Sequence, residues 1–235
     1  PLQYNMTLTM RYKVIACRVF AREISMLSAR SAVVLDVTWV RQGLHNYPSL
    51  LRDAIQKEID RAEAPWEDRT SATRPPQEYA GIVLGFGLCS RATVGLQTTR
   101  LPLIVPQSDD CIGLLLGSKR RYRKELSRAP GTYWFSPGWI EEASFPSGDQ
   151  YHLIRDRFSS LYGEDNGEYL VNLERESLSA YSRAVLIRWP GLTRDGYRAR
   201  VDAIAEDLGW RVETADGDTG WMARILEGRW NEDDV

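Results

Sequence analysis

The chain has 235 residues, 43% of them hydrophobic and 26% charged, enough to bury a core as one large domain or two small ones. Its 30 basic and 32 acidic side chains leave a formal net charge of -2, which gives no global attraction to nucleic acid or to an anionic membrane. No apolar run approaches the roughly 20 residues of a membrane span, and Pro1 to Met10 lacks the pattern of a signal peptide, so a cytoplasmic protein is expected.

Residues 1–10 read as an N-terminal extension and 11–235 as one α/β domain, with room for a second lobe from about residue 130. Tyr12 to Ala16 is a short apolar run that leads through Cys17 into a helical stretch from Val19 to Leu27. Ala32 to Val40 is rich in β-branched residues and predicts a second strand. After a polar loop from Arg41 to Pro48, the apolar spacing from Ser49 to Ala62 predicts a helix. Ala64 to Gln77, rich in proline and arginine, reads as a surface loop.

Tyr79 to Leu84 predicts a buried strand, running into Gly85-Phe86-Gly87-Leu88-Cys89 and then a short helix through Leu96. Leu101 to Val105 predicts the next strand, and Ser108-Asp109-Asp110 offers caps for a helix from Cys111 to Leu116. Lys119 to Arg128 reads as a basic amphipathic helix, its charge a solvated face rather than a nucleic-acid patch. An edge strand at Thr132 to Phe135 and a tight turn at Ser136 to Trp139 come next. Helical periodicity follows over Tyr151 to Ala180, then a strand at Ala184 to Arg188, a helix at Arg194 to Leu208, a strand at Arg211 to Thr214 and a helix at Thr219 to Leu226. This alternation predicts a mainly parallel, Rossmann-like sheet with helices on both faces.

Three cysteines, an odd number in a chain expected to be intracellular, argue against a disulfide framework. Cys17, Cys89 and Cys111 each follow a predicted strand and precede a predicted helix, at the carboxyl edge where open α/β sheets bind ligands. Helix N-termini there stabilise thiolate, the form that attacks electrophiles and binds metal. His45, in the loop after the second strand, is the natural fourth member. Cys17, Cys89, Cys111 and His45 are therefore candidate metal ligands, with His45 alternatively an acid/base and Glu23 a candidate acid/base beside Cys17. A zinc ion would suit three cysteines and a histidine, and a 4Fe–4S cluster three cysteines with one iron open to substrate. Without a close pair such as C-x2-C, a zinc ribbon is not indicated. Gly85 and Gly87 have the outline of a dinucleotide turn but more simply let backbone approach a ligand or metal.

The segments Ile15-Ala16-Cys17, Gln42-Gly43-Leu44-His45-Asn46-Tyr47-Pro48, Gly85-Phe86-Gly87-Leu88-Cys89, Asp110-Cys111-Ile112 and Pro137-Gly138-Trp139-Ile140-Glu141 together resemble a bacterial and archaeal family, domain of unknown function 1638. The chain departs from that pattern at Asp109, where the family often has histidine, and it ends sooner than the pattern does. The resemblance implies a setting in corrinoid-associated methyl metabolism, with a corrinoid protein or methyltransferase as partner. The expected function is thus a metal-dependent enzyme, or enzyme accessory, acting on a small molecule in methylated-compound metabolism. Two rivals stand beside it: a metal-free two-cysteine enzyme of the racemase kind, and a non-enzymatic protein that handles a corrinoid or a metal.

Overall fold

The computed structural model describes residues 9–65, 78–143, 145 and 150–235. They fall into two compact units, one formed by Pro1–Lys119 with Thr219–Val235 and the other by Arg120–Asp218. Each is built on a parallel sheet with helices around it, so the α/β, Rossmann-like expectation holds. The expected N-terminal extension and the proline- and arginine-rich loop fall mostly outside the described residues.

The first unit carries a four-stranded sheet in the order β2-β1-β3-β4, all parallel. Its strands are β1 (Arg11–Cys17), β2 (Val34–Val40), β3 (Gly81–Gly85) and β4 (Leu103–Ile104). β1 enters the core through Val14, Ile15 and Ala16, and every residue of β3 is buried, as a sheet covered on both faces requires. Register sets Cys17 opposite Val40 and Ala16 opposite Gly85. A 3-10 turn (Arg18–Phe20) passes into α1 (Ala21–Ser28), and α2 (Pro48–Glu63) follows β2. The helix α2 buries Leu51, Ile55, Ile59 and Ala62, one stripe at helical spacing, and packs it on Ile15, Leu84 and Phe86. The leucine and the two isoleucines each contribute about 1.5–3 kcal/mol on full burial. At the end of α2 the Glu63 carboxylate accepts backbone N–H bonds from Thr99, Arg100 and Leu101 at 2.7–2.8 Å, which ties the helix to the segment entering β4.

Beyond β4 lie α3 (Cys111–Leu116) and the start of α4 (Lys119–Arg128), and α9 (Gly220–Leu226) returns to pack against α3. The chain end is held there as well: Arg224 pairs with the buried Asp234 at 2.7 Å, and the Asp234 carbonyl accepts from the Gln107 N–H at 3.0 Å. The helix expected between Cys89 and Leu96 is instead a series of turns. N–H groups of Arg91, Val94 and Leu96 each bond three residues back, Arg91 has a φ of 55° and Gly95 one of 88°, conformations that interrupt a right-handed helix.

The second unit carries β5 (Thr132–Phe135), β6 (Arg183–Arg188) and β7 (Arg211–Asp216) in that order, again parallel. β5 is an edge strand, as expected. The tight turn expected after it is a helix, α5 (Pro137–Glu142), because Pro137 presets its first turn and the Ser136 hydroxyl accepts from the Trp139 N–H at 3.2 Å. The single long helix expected over 151–180 is broken at Gly163, whose φ is 91°, into α6 (Gln150–Tyr162) and α7 (Glu164–Ser177). A further helix, α8 (Asp195–Leu208), covers the sheet with Tyr197, Val201, Ile204 and Ala205. Arg183, 3% exposed, is matched by Glu213 at 2.6 Å and by the Thr132 hydroxyl at 3.0 Å, so this buried charge is compensated within its own unit.

Candidate functional site

In the first unit the strand order reverses direction at β1: one crossover leads outward to β2, the next back past β1 to β3. Ligands of open α/β sheets bind outside the strand ends at such a reversal. Cys17 is the last residue of β1, and Cys89 follows β3 by four residues. Cys111 opens α3 after β4. None of the three is in a disulfide.

Two loops bring Cys89 to Cys111. The Leu88 N–H donates to the Ser108 carbonyl at 2.9 Å, and the fully buried Ser108 hydroxyl donates to the Asp110 carbonyl at 2.7 Å. Gly87 lies directly on the Asp110–Cys111 backbone, where a Cβ would overlap it. Gly85 is similarly filled in, by Ala16 and by Ile24 of α1. The close approach these glycines permit in this structure is therefore of the chain to itself. Asp110 is the N-cap of α3: its Oδ1 accepts from the N–H groups of Ile112 at 2.7 Å and Gly113 at 3.2 Å, as the sequence suggested.

The outcome is a thiol pair. Cys111 donates its thiol hydrogen bond to Cys89, which lowers the Cys89 pKa to about 7 despite partial burial and the opposing charge of Asp110. The backbone N–H groups of Cys89 and Ser90 also point at that sulfur. The same hydrogen bond pushes Cys111 well above the ordinary thiol range, and burial and the charges of Cys17 and Cys89 add to the shift. Cys89 is exposed, Cys111 half-buried, and Cys17 within electrostatic reach of Cys111. Near pH 7 the pair thus loses its first proton from Cys89, while Cys111 keeps its own. Helix N-termini were expected to acidify all three thiols. The structure splits the pair by a hydrogen bond instead, and the thiol at the start of α3 is the less acidic one.

His45 lies in a 3-10 turn (Leu44–Asn46) after the left-handed Gly43, with more than a third of its surface exposed. Neighbouring atoms still crowd the imidazole enough to lower its pKa below the ordinary value. It is not among the main influences on Cys89 or Cys111. Glu23 is fully buried in the first turn of α1, not on a solvated helix face. Among the described residues, no three or more His, Cys, Asp or Glu side chains stand grouped to hold a metal ion. Ser108, which the sequence offered only as a possible cap, is instead buried and braces the Asp110 carbonyl, while Asp110 alone caps α3. No described helix is long and apolar enough to cross a membrane.

Neither the curated proteins nor the solved structures include a significant match to this chain. A family model does match, over residues 39–226, a span that includes His45, Cys89 and Cys111 and starts after Cys17 and Glu23. That span is most of the chain, and the protein belongs to the family described as proteins of unknown function, DUF1638.

Proposed function

We propose that this protein is a thiol-dependent enzyme acting on a small electrophilic molecule at the carboxyl edge of its first sheet, with Cys89 as nucleophile and Cys111 as proton donor. The observation that carries this reading is the hydrogen bond between the two thiols, which favours thiolate at the exposed Cys89 near neutral pH. In the step envisaged, the Cys89 sulfur forms a bond to the electrophilic carbon. The displaced electron pair goes to the leaving group, and the Cys111 proton, no longer held by a thiolate, is available to that group. A methyl group on a good leaving group is one such electrophile, which makes the setting of methylated-compound metabolism chemically consistent. The corrinoid-associated partner rests on the family resemblance alone. Proton exchange of the racemase kind is less well supported, because it sets the substrate between two thiols and these two contact each other.

A second reading is a metal centre, favoured by the influence of Cys17 on Cys111. Cys17, Cys89 and Cys111 would be its ligands, soft donors suited to zinc or to an iron–sulfur cluster, and the metal would supply Lewis acidity. The fit is partial. Two of the thiols already touch, and the third has to close in, since the described residues present no ready ligand group.

Anaerobic purification, followed by metal analysis and pH-dependent alkylation, separates the two. Metal-free protein in which Cys89 alkylates with a midpoint near pH 7 supports the thiol enzyme. One metal centre per chain, with Cys17, Cys89 and Cys111 all shielded until a chelator is added, overturns it in favour of the metal.

A further inference from the structure

Cys89 and Cys111 are carried by two segments that the fold fastens to each other at several points. Gly87 lies on the backbone of Asp110 and Cys111, and the Leu88 N–H donates to the Ser108 carbonyl at 2.9 Å. The chain between the two cysteines is fastened too, because N–H groups of Thr99, Arg100 and Leu101 donate to the Glu63 carboxylate. The thiol contact is therefore held by backbone on either side of it. Both thiols are free. A sulfur–sulfur bond of about 2 Å is shorter than a thiol hydrogen bond, and rotation about the side-chain bonds is the movement that closes the difference.

Exposure and neighbours give the two sulfurs different parts. Cys89 is exposed and Cys111 half-buried, so an oxidant arriving from solvent meets Cys89 first and finds Cys111 behind it. Redox-sensing cysteines combine an accessible thiolate with a second thiol poised to resolve it. Cys17 is half-buried at the end of β1 and acts on Cys111 by charge, whereas Cys89 accepts its hydrogen bond. We propose that Cys89 and Cys111 are a reversible oxidation site, closing to a disulfide when Cys89 meets a hydroperoxide. The Cys89 sulfur bonds to the terminal oxygen, the O–O bond breaks, and the leaving oxygen takes a proton to become an alcohol or water. Cys89 is then a sulfenic acid. Cys111 loses its proton, its sulfur attacks the Cys89 sulfur, and the displaced hydroxide takes a proton and leaves as water. The two thiols thus give up two electrons and two protons, and the hydroperoxide is reduced to an alcohol and water, or to water alone. A dithiol reverses the bond by exchange and carries the disulfide away itself. While the bond stands, Cys89 has no free sulfur with which to attack a substrate.

The inference rests on the thiol pair of the proposed enzyme, and hydrogen peroxide is the probe. The full chain is purified anaerobically, treated with peroxide near neutral pH, and read by thiol counting and peptide mass. Free thiols should fall from three to one, with a peptide pair joined through Cys89 and Cys111 and about 2 Da lighter than its parts, and dithiothreitol should restore all three. In Cys111→Ser the same treatment should instead carry Cys89 to the sulfinic acid, about 32 Da heavier, while Cys17→Ser should still form the bond. Three free thiols after excess peroxide overturn the inference. So does a native Cys89 that reaches the sulfinic acid as readily as in Cys111→Ser, or a disulfide through Cys17. Alkylation of the untreated protein reads the pair separately. A Cys89 midpoint near pH 7 with no disulfide after peroxide sinks this inference alone, and thiols shielded by a metal sink both readings.

Discussion

Replacing Cys111 by alanine removes the thiol that holds Cys89 ionised, and the effect on reactivity is calculable. At a pKa of about 7, roughly half of Cys89 is thiolate at pH 7, against roughly 1% for a thiol near 9. The more acidic thiolate is also the weaker nucleophile, by ~8-fold for two pH units at a Brønsted coefficient of about 0.45. These effects oppose each other. Near pH 7 the native protein should alkylate at Cys89 about 6-fold faster than Cys111→Ala, whereas near pH 10.5, where both thiols are ionised, it should be ~7-fold slower. The curves should cross at roughly pH 8. Iodoacetamide labelling from pH 5.5 to 10.5, with the Cys89 peptide quantified by mass spectrometry, measures both curves. Parallel curves with no crossing would refute the thiol pair as the cause of the Cys89 acidity.

Three further outcomes are expected. Gly87→Ala drives a Cβ into the Asp110–Cys111 backbone, so it should cost about 1–3 kcal/mol in denaturant unfolding and return the Cys89 alkylation midpoint toward that of an ordinary thiol. Asp110→Ala should act with two signs: loss of the α3 cap lowers stability by ~1 kcal/mol, while loss of a nearby negative charge moves the Cys89 midpoint below 7. Burial alone would raise the Glu63 pKa, but hydrogen bonds from Leu101, Arg100 and Thr99 outweigh it and hold the carboxyl near about 2. Its stabilisation is therefore present above the ordinary carboxyl range and lost as pH falls from about 4.5 toward 2. Between pH 6 and pH 3 the native protein should lose on the order of 1 kcal/mol more than Glu63→Gln in urea unfolding, and equal losses would remove Glu63 from this role.

What the sequence made legible follows from the range of the interactions involved. The strands and most helices were readable because β1, β2 and β3 are continuous apolar or β-branched runs, and α2 and α8 bury a stripe at period 3.6. The errors fell where one residue decides the outcome. Ser136 and Pro137 made a helix start rather than a turn, and Gly163 cut one helical period into two helices. The edge position of the cysteines was also legible, since strand ends can be read from strands. The pairing of Cys89 with Cys111 was not. It depends on Gly87 fitting against backbone 23 residues onward, a contact that no local period encodes. Nor does a count of thiols reveal which one holds the proton, because that follows from a single hydrogen bond.

The unit that bears the thiols is interrupted in sequence, its last portion, Thr219–Val235, lying beyond the whole of the second unit. During synthesis Cys111, the last of the three thiols, leaves the ribosome roughly a hundred residues before α9, an interval of about 5–20 s at ordinary elongation rates, and Cys17 and Cys89 leave earlier still. Throughout that time α3 lacks the helix that packs on it, and Gln107 lacks the Asp234 carbonyl that receives its N–H. The nascent chain thus carries three thiols in a half-finished fold. Shielding them from oxidants on the ribosome, rather than in the finished protein, is the demand this chain order places on the cell that makes it.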